Sequence, residues 1–148
     1  MMTLPKKCVY ALRALFELAL RRQKEPVNAR QIADSQSIPL RFLETILNEL
    51  KQGGFVITIR GKQGGFLLAR PASQMTTGEV IDFLRKTDSS LLNSDRAGIS
   101  PVPGDYAFEH LWGRLSEAIN EVLFKTTFQD MVDQEINSQS MYVENYVI

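Results

Sequence analysis

The stretch of sequence that decides the fold is IPLRFLETILNELKQGGFVITIRGKQGGFLLARP, residues 38–71. Its first part carries leucine and isoleucine at helical spacing after Pro39, which predicts a helix. Proline suits the start of a helix because the N–H that it lacks would have no hydrogen-bond partner in the first turn. Gly53-Gly54 ends this helix. The predicted apolar face consists of Leu40, Leu43, Ile46, Leu47 and Leu50. Arg41 and Glu44 are expected on the exposed face.

Two short strand-like runs follow, Phe55–Arg60 and Phe66–Ala69. Between them lies Gly61-Lys62-Gln63-Gly64-Gly65, a segment that is both glycine-rich and basic, and Pro71 ends the second run. Glycine clusters between two apolar runs favour a tight chain reversal. The pattern therefore predicts a β-hairpin with a basic tip.

Two further helices are predicted before this stretch. Pro5 precedes a helix over residues 6–22 that is apolar nearly all round, so it lies either at the centre of the fold or under a partner chain. Its narrow polar stripe comprises Lys6, Tyr10, Arg13, Glu17 and Arg21. Asn28 is the predicted N-cap of a short second helix that ends near Gln36. Three helices and then a hairpin are the order of a winged helix-turn-helix, which is mainly α with a small β-hairpin.

The second half of the chain is predicted to contain two helices around a loop. Thr76-Thr77-Gly78-Glu79 has the spacing of a capping box and predicts a fourth helix. Residues 88–105 are rich in Ser, Gly, Pro and Asp, and a loop this long is usually functional or disordered. A long helix is then predicted from Tyr106 to Phe124, with an apolar stripe along it.

The end of the chain carries weaker signals. Thr127 and Asp130 read as the cap of a last short helix near 128–131, followed by a polar tail that could be disordered. The predicted organisation is a winged helix-turn-helix region over 1–72. A linker helix, a sensor-type loop (88–105) and a dimerisation helix follow over 73–135, and the tail covers 136–148.

The formal net charge is zero, from 17 basic and 17 acidic side chains, but the charge is segregated. Residues 1–70 hold 12 basic and 5 acidic side chains, a net charge of +7, whereas residues 71–148 hold 5 basic and 12 acidic, a net charge of −7. Charge asymmetry between halves is typical of proteins that contact nucleic acid. The basic half coincides with the predicted winged helix-turn-helix.

In such a fold the third helix can lie in the major groove of DNA. Arg41 can reach guanine or a phosphate, and Glu44 can accept from a cytosine amino group. The glycines of the hairpin tip let the backbone come close to DNA, and its basic side chains can enter a minor groove or contact phosphates. The predicted DNA-binding residues are Lys6, Lys7, Asn28, Arg30, Pro39, Leu40, Arg41, Glu44, Arg60, Gly61, Lys62, Gln63 and Gly64.

The residue counts exclude several classes of protein. With one cysteine and one histidine, the chain can form no internal disulfide and no Cys- and His-rich zinc site. No run approaches the roughly 18 apolar residues of a membrane span, and no cleavable site follows the first residues. No nucleophile–base cluster is present, so an enzyme is not expected. A cytoplasmic, soluble, single-domain protein is predicted.

Several segments together resemble one bacterial family. They are the opening Leu4-Pro5-Lys6-Lys7, the region Ile38–Glu44 and, most specifically, Arg60–Pro71. The chain resembles the Rrf-type (IscR-, NsrR- and CymR-like) winged helix-turn-helix regulators over about 135 residues. The resemblance implies a homodimeric transcription factor, usually a repressor, that pairs through its long C-terminal helix. It also implies operator contact at Arg41, Glu44 and Arg60.

The chain departs from this family in one respect. Many members carry three cysteines in the loop that corresponds to residues 88–105 and hold a two-iron–two-sulfur cluster there. This loop has no cysteine, and its aspartates are poor substitutes for thiolate or imidazole ligands. His110 is also displaced, since a family ligand would fall nearer Glu109. No cluster, no metal and no other cofactor is therefore predicted, and any effector is unknown.

Two residues are candidate sensors, each with a structural alternative. Cys8 lies in a first helical turn beside Lys6 and Lys7, which favours a reactive thiolate, but a small buried hydrophobe is the preferred interpretation. His110 could line a ligand pocket with neighbouring aromatics, which are more often dimer core. The predicted dimer-interface residues are Phe108, Leu111, Trp112, Leu115, Ile119, Val122 and Leu123.

The sequence thus predicts a double-stranded-DNA-binding regulator that acts as a homodimer on a near-palindromic operator, without a membrane partner. The apolar stripe of the long helix, Tyr106 to Phe124, supports the dimer. The three helices and the small hairpin, which is the wing of this fold, cannot cover that stripe. The alternatives are a winged-helix protein-interaction module without a DNA target, and a thiol- or small-molecule-responsive regulator. The basic wing and Arg41 favour DNA over the interaction module.

Overall fold

The computed structural model describes residues 4–22, 25–87 and 101–146, and the side chains of these up to residue 141. Helices dominate these residues, and a two-stranded antiparallel sheet accompanies them. The helices are α1 (Lys6–Leu20), α2 (Ala29–Gln36), α3 (Leu40–Gln52), α4 (Thr77–Thr87), α5 (Asp105–Lys125) and α6 (Phe128–Tyr146). The strands are β1 (Val56–Ile59) and β2 (Gly65–Leu68), and a 3₁₀ turn covers Ala72–Gln74. The predicted fold class is confirmed.

Helix α1 lies at the centre of the molecule, in contact with α2, α3, α4, α6 and β2. Ala11, Ala14 and Leu15 are fully buried, and the two alanines let the neighbouring helices approach closely. This central position explains why α1 is apolar nearly all round. Glu17 does not belong to a solvent-facing stripe as the sequence pattern indicated, because it is only 5% exposed.

Local hydrogen bonds define the helix-turn-helix. The N–H of Gln31 donates to Asn28 Oδ1 (2.9 Å) and the N–H of Asn28 donates to Gln31 Oε1 (3.0 Å), which makes a capping box at the start of α2. Ser37 adopts a left-handed conformation (φ 52°) that turns the chain within a few residues. The predicted cap at Asn28 is confirmed, and α3 begins directly after Pro39, one residue later than predicted.

The hairpin β1–β2 forms a wing beside these helices. Its register pairs Val56 with Leu68 and Ile59 with Gly65. The wing is tied to the body at Val27, whose N–H donates to the carbonyl of Phe66 (3.0 Å) and whose carbonyl accepts from the N–H of Phe66 (2.8 Å). These two bonds fix where the wing leaves the core.

A second capping box begins α4, as the sequence predicted. Thr76 Oγ1 accepts from the N–H of Glu79 (3.2 Å), and Glu79 Oε2 accepts from the N–H of Thr76 (2.9 Å). The C-terminal end of α5 is held at the same place, since Thr77 Oγ1 donates to the carbonyl of Leu123 (2.7 Å). The ring of Phe124 packs on Gly78, where an added methyl group would come within 2.6 Å of the ring.

The prediction of a short last helix and a polar tail was wrong. The cap at Thr127 is confirmed, with its side chain accepting from the N–H of Asp130 (3.0 Å), but the helix continues to Tyr146. Phe128 and Val132 are buried in the core, and Met131 and Ile136 pack against it. This narrow apolar stripe anchors α6 on α1, and polar residues elsewhere on the helix hide it in the sequence.

The structure describes only the end of the predicted loop 88–105. Most of the predicted loop, residues 88–100, lies outside the described residues. Within the described part, residues 101–104 lead directly into α5, where the N–H of Val102 donates to Asp105 Oδ2 (2.8 Å). No helix among the described residues is long and apolar enough to cross a membrane.

Candidate nucleic-acid interface

Helix α3 presents a polar face to solvent. Its apolar residues Leu43, Ile46, Leu47 and Leu50 are buried, as predicted. Arg41 and Glu44 are exposed, and so are Thr45 and Asn48, which follow Arg41 by four and seven residues. At 3.6 residues per turn these three lie along one stripe. Thr45 and Asn48 were not among the predicted contacts, although their spacing from Arg41 is readable in the sequence.

The first turn of α3 orders its arginine. The guanidinium of Arg41 lies 5.2 Å from the centre of the Phe42 ring, which is itself 51% exposed. Such stacking restricts the guanidinium plane while its N–H groups remain able to donate. Pro39 is exposed and Leu40 is half-buried at the same end of the helix. The surface around Arg41 thus combines a fixed cation with apolar neighbours.

The wing tip is a tight, exposed basic turn. Arg60, Gly61, Lys62 and Gln63 are exposed, and Gly64 is half-buried. The N–H of Gly64 donates to the carbonyl of Gly61 (3.1 Å), and Gly61 has a φ of 124°, which favours glycine. A side chain at Gly64 would collide with the carbonyl of Ile59. The glycines are therefore needed for the shape that presents the two cations.

The structure gives the remaining predicted contact residues different surroundings. Lys6 and Arg30 are exposed. Asn28 is also exposed, and it serves as the α2 cap. Lys7 is half-buried and its Nζ lies 2.8 Å from Glu49 Oε2, so it links α1 to α3. A DNA contact by Lys7 stays a prediction, and it would compete with this ion pair.

Helix α5 carries the predicted dimer-interface residues, and the described part of the chain leaves it without buried residues. None of its 21 residues is buried. Trp112 is 56% exposed, and its ring stacks on Phe108 with the ring centres 6.4 Å apart. Leu111 and Val122 are exposed, and Leu115, Ile119 and Leu123 are half-buried. An exposed apolar stripe of this length is typical of an interaction surface, and the role of these residues in a dimer stays a prediction.

The two candidate sensors lie in contrasting places. Cys8 is 1% exposed and belongs to the core cluster, which agrees with a small buried hydrophobe more than with an accessible thiolate. His110 is exposed on α5. It is five residues from Leu115, which places it well away from the apolar stripe on a helix of 3.6 residues per turn. A sensor role for either residue stays a prediction.

Helices α1–α3 and the wing β1–β2 form a unit that we call the head. Its exposed polar face on α3 and its basic wing define the winged helix-turn-helix class. The sequence profile of the Rrf2 family, described as "Iron-dependent Transcriptional regulator", matches residues 4–134. The chain belongs to this family. Because the family consists of transcriptional regulators, the prediction that the protein is not an enzyme is confirmed.

Individual relatives agree with this assignment. The HTH-type transcriptional regulator IscR of Serratia proteamaculans is 33% identical over 135 residues, which are 90% of this chain and 81% of the relative. Among solved structures, T. potens IscR aligns with a TM-score of 0.77 at 28% identity, over 95% of this chain and 96% of that one. CymR, the global cysteine regulator of B. subtilis, aligns with a TM-score of 0.72 at 29% identity, over 90% and 98%.

The chain's donor set does not fit the iron–sulfur cluster that the family implies. A cluster requires several thiolate or imidazole ligands at one place. The sequence holds one cysteine and one histidine, and Cys8 is enclosed in the core. Across residues 4–22, 25–87 and 101–146, no group of three or more His, Cys, Asp or Glu side chains could hold a metal ion. Loop 88–100 contains neither Cys nor His.

Proposed function

We propose that the protein is a sequence-specific, double-stranded-DNA-binding repressor that acts as a homodimer on a near-palindromic operator in the bacterial cytoplasm. The observation that carries this proposal is the surface of the head. Helix α3 exposes Arg41 and Glu44 on the side opposite its buried apolar face. The wing that follows it exposes Arg60 and Lys62. A major-groove helix flanked by a basic hairpin is a recurring way to read DNA.

The exposed residues divide by their chemistry into base readers and phosphate contacts. Arg41 can bond two acceptors of guanine, Glu44 can accept from cytosine, and Asn48 can bond adenine in the major groove. Thr45 offers a methyl group for contact with thymine. The wing cations suit a narrow minor groove or the phosphates. Lys6 and Arg30 supply positive charge that reads no base.

The homodimer rests on α5. Its stripe contains large apolar residues that the chain itself leaves half-buried or exposed along most of the helix. Self-pairing across a twofold axis covers the same stripe on both copies at once. Two heads related in this way would contact half-sites roughly 34–36 Å apart, or a multiple of that spacing.

We further propose that the repressor works without an iron–sulfur cluster. The support is chemical, since the chain offers one thiol and that thiol is buried in α1.

A mobility-shift titration with increasing salt tests the proposed DNA contact. If the head neutralises phosphates, log K falls linearly with log salt at a slope of about −0.9 per phosphate. Arg60→Ala should weaken binding to all sequences and reduce the slope by about 1. Lys86→Ala, an exposed cation on α4 within the acidic half, is the matched control and should change neither. Binding that does not respond to salt would contradict the proposal.

A protein-interaction role has one specific observation in its favour. Ile57 and Ile59 alternate along β1 and are 46% and 43% exposed, which leaves an apolar strip on the wing. Replacing both with serine should leave DNA affinity nearly unchanged if the strip binds a protein. A large loss of DNA affinity in a folded variant would assign the strip to DNA contact.

A further inference from the structure

An ion pair joins α1 to α3 beside the exposed face of α3. Lys7 Nζ lies 2.8 Å from Glu49 Oε2, and the two side chains are 25% and 26% exposed. Glu49 follows Thr45 by four residues, so it lies at the edge of the exposed stripe of Arg41, Thr45 and Asn48. An ammonium and a carboxylate thus meet next to the surface that the proposed function turns toward DNA.

The ion pair adds little to what holds α3 in place. The buried leucine and isoleucine side chains of α3 already fix this helix against the core. Ion pairs that water can reach contribute little to stability. Glu49 Oε2 accepts no well-aligned hydrogen bond from the described residues, so it is held to Lys7 mainly by charge. The main consequence of the pair is therefore electrostatic.

The position of Lys7 explains why a carboxylate is held here. Lys7 is the second residue of α1, where a cation meets the positive end of the helix dipole. The first turn of α1 carries no acidic residue, and Glu49 supplies the negative charge from α3. While the pair is formed, the two opposite charges largely cancel for a phosphate that approaches this side of the head.

We propose that Glu49 limits the affinity of the head for DNA, because it holds the ammonium of Lys7 that would otherwise contact a phosphate. This inference rests on the proposed DNA-binding function and assigns Glu49 as a positioning residue that acts through Lys7. A phosphate contact reads no base, so Glu49 weakens binding to the operator and to other DNA alike. The base contacts of α3 then supply a larger share of the total binding free energy.

Glu49→Gln removes the charge of the carboxylate and nearly keeps the shape of the side chain. Fluorescence anisotropy of a labelled mixed-sequence duplex, titrated with the full-length protein between about 50 and 200 mM salt, gives the affinity and its salt slope. The slope should steepen by about 0.9, the value for one more phosphate, which is about an eightfold change in affinity per tenfold change in salt. Asp34→Asn makes the same charge change at an exposed site on α2 and should leave the slope unchanged.

The steeper slope should require Lys7. In a Lys7→Met background, Glu49→Gln should not steepen the slope, since no ammonium remains at this place to contact the phosphate. Glu49→Ala should act like Glu49→Gln in the native background. Circular dichroism of each variant verifies that it is folded.

A folded Glu49→Gln protein with the native slope, or one whose slope steepens equally without Lys7, overturns the inference and leaves the proposed function standing. Weaker binding of Glu49→Gln to a selected operator, with a changed base preference, also overturns it, because Glu49 would then read a base. If the native protein binds neither the mixed-sequence duplex nor any selected sequence, the proposed function is overturned together with the inference.

Discussion

Arg41 occupies the position at which the chemistry of the head is most specific. It lies in the first turn of α3, exposed and stacked over Phe42 at 5.2 Å. The stacking reduces the rotamer freedom that a long side chain would lose on binding DNA. In the proposed DNA complex, this stacking would order the guanidinium of Arg41 before DNA binds.

Arg41→Ala should weaken binding to the preferred operator by about 1–3 kcal/mol and relax the preference at one base position. The reason is the loss of a two-bond contact with guanine. Competition binding with single-base operator variants measures both effects, and Arg85→Ala on α4 is the exposed control. Equal weakening on every sequence would instead assign Arg41 to a phosphate.

Glu17 shows how a residue can be polar in the sequence and buried in the structure. Arg21 Nε donates to Glu17 Oε1 (2.7 Å) and Gln36 Nε2 donates to Glu17 Oε2 (2.8 Å), so the carboxylate joins α1 to α2. Burial raises the pKa of this carboxyl. The bonds from Gln36 and Arg21 and the charge of Arg21 outweigh burial and hold the pKa below the ordinary 4.5.

Because the folded pKa of Glu17 is depressed, its contribution to stability is present above about pH 4.5 and is lost as pH falls through the folded pKa. Glu17→Gln should therefore be less stable than the native chain near pH 7, with the difference shrinking toward pH 3. Urea denaturation across that range measures it. Glu121→Gln on exposed α5 is the control, and a difference independent of pH would contradict the assignment.

At the scale of elements, the attachment of the wing to the body depends on Gly65. A side-chain carbon at Gly65 would come within 2.5 Å of the carbonyl group of Val27. This is the point at which two hydrogen bonds join Val27 to Phe66. The hairpin can meet the body only if Gly65 carries no side chain.

Gly65→Ala should lower the free energy of unfolding by about 1–3 kcal/mol, since the backbone must move to accept the methyl group. The loss of wing position should also weaken DNA binding. Thermal denaturation measures the first effect. Gly113→Ala, which adds a methyl group to open space on α5, should not lower stability. An unchanged Gly65→Ala would show that the wing is not anchored at Val27.

The sequence predicted those elements whose signals are local. The caps at Asn28, Thr76 and Thr127 each use residues within three positions, so their spacing alone identifies them. The exposed face of α3 and the wing tip followed from periodicity and glycine content. The predicted last helix was too short because the apolar stripe of α6 is narrow. This helix is stabilised by packing on α1, which is distant in the sequence.

The pairing of charged residues was less predictable. Glu17 is held by Gln36, nineteen positions away. Lys7 pairs with Glu49 on another helix, so a residue predicted to contact phosphate already has a structural partner. Neither contact can be read from helical spacing, since both depend on how α1 packs against the helix-turn-helix.

At the scale of the whole molecule, charge and apolar surface are separated. The basic first 70 residues form the head, whereas the acidic remainder contains α4, α5 and α6. In the proposed complex the negative charge lies far from DNA, which limits repulsion, and the apolar stripe of α5 forms the proposed dimer interface. The zero net charge of the chain therefore conceals two halves of opposite charge.

Ile119→Glu should convert the dimer to a monomer, because two carboxylates would face each other near the centre of the paired stripes. Ile119 is half-buried, so the head should stay folded. Sedimentation velocity measures the change. Asn120→Glu, which is exposed one residue along α5, should remain dimeric. A dimeric Ile119→Glu variant would show that α5 does not carry the interface.

The most direct test of the central claim is selection of bound DNA from a random double-stranded pool by the purified native protein. The account predicts enrichment of a near-palindromic sequence whose half-sites lie one helical turn, roughly 34–36 Å, or a multiple apart. The enriched base at one position of each half-site should lose its preference with Arg41→Ala. A pool that stays random after repeated selection, or an enriched site without twofold symmetry, would contradict the account.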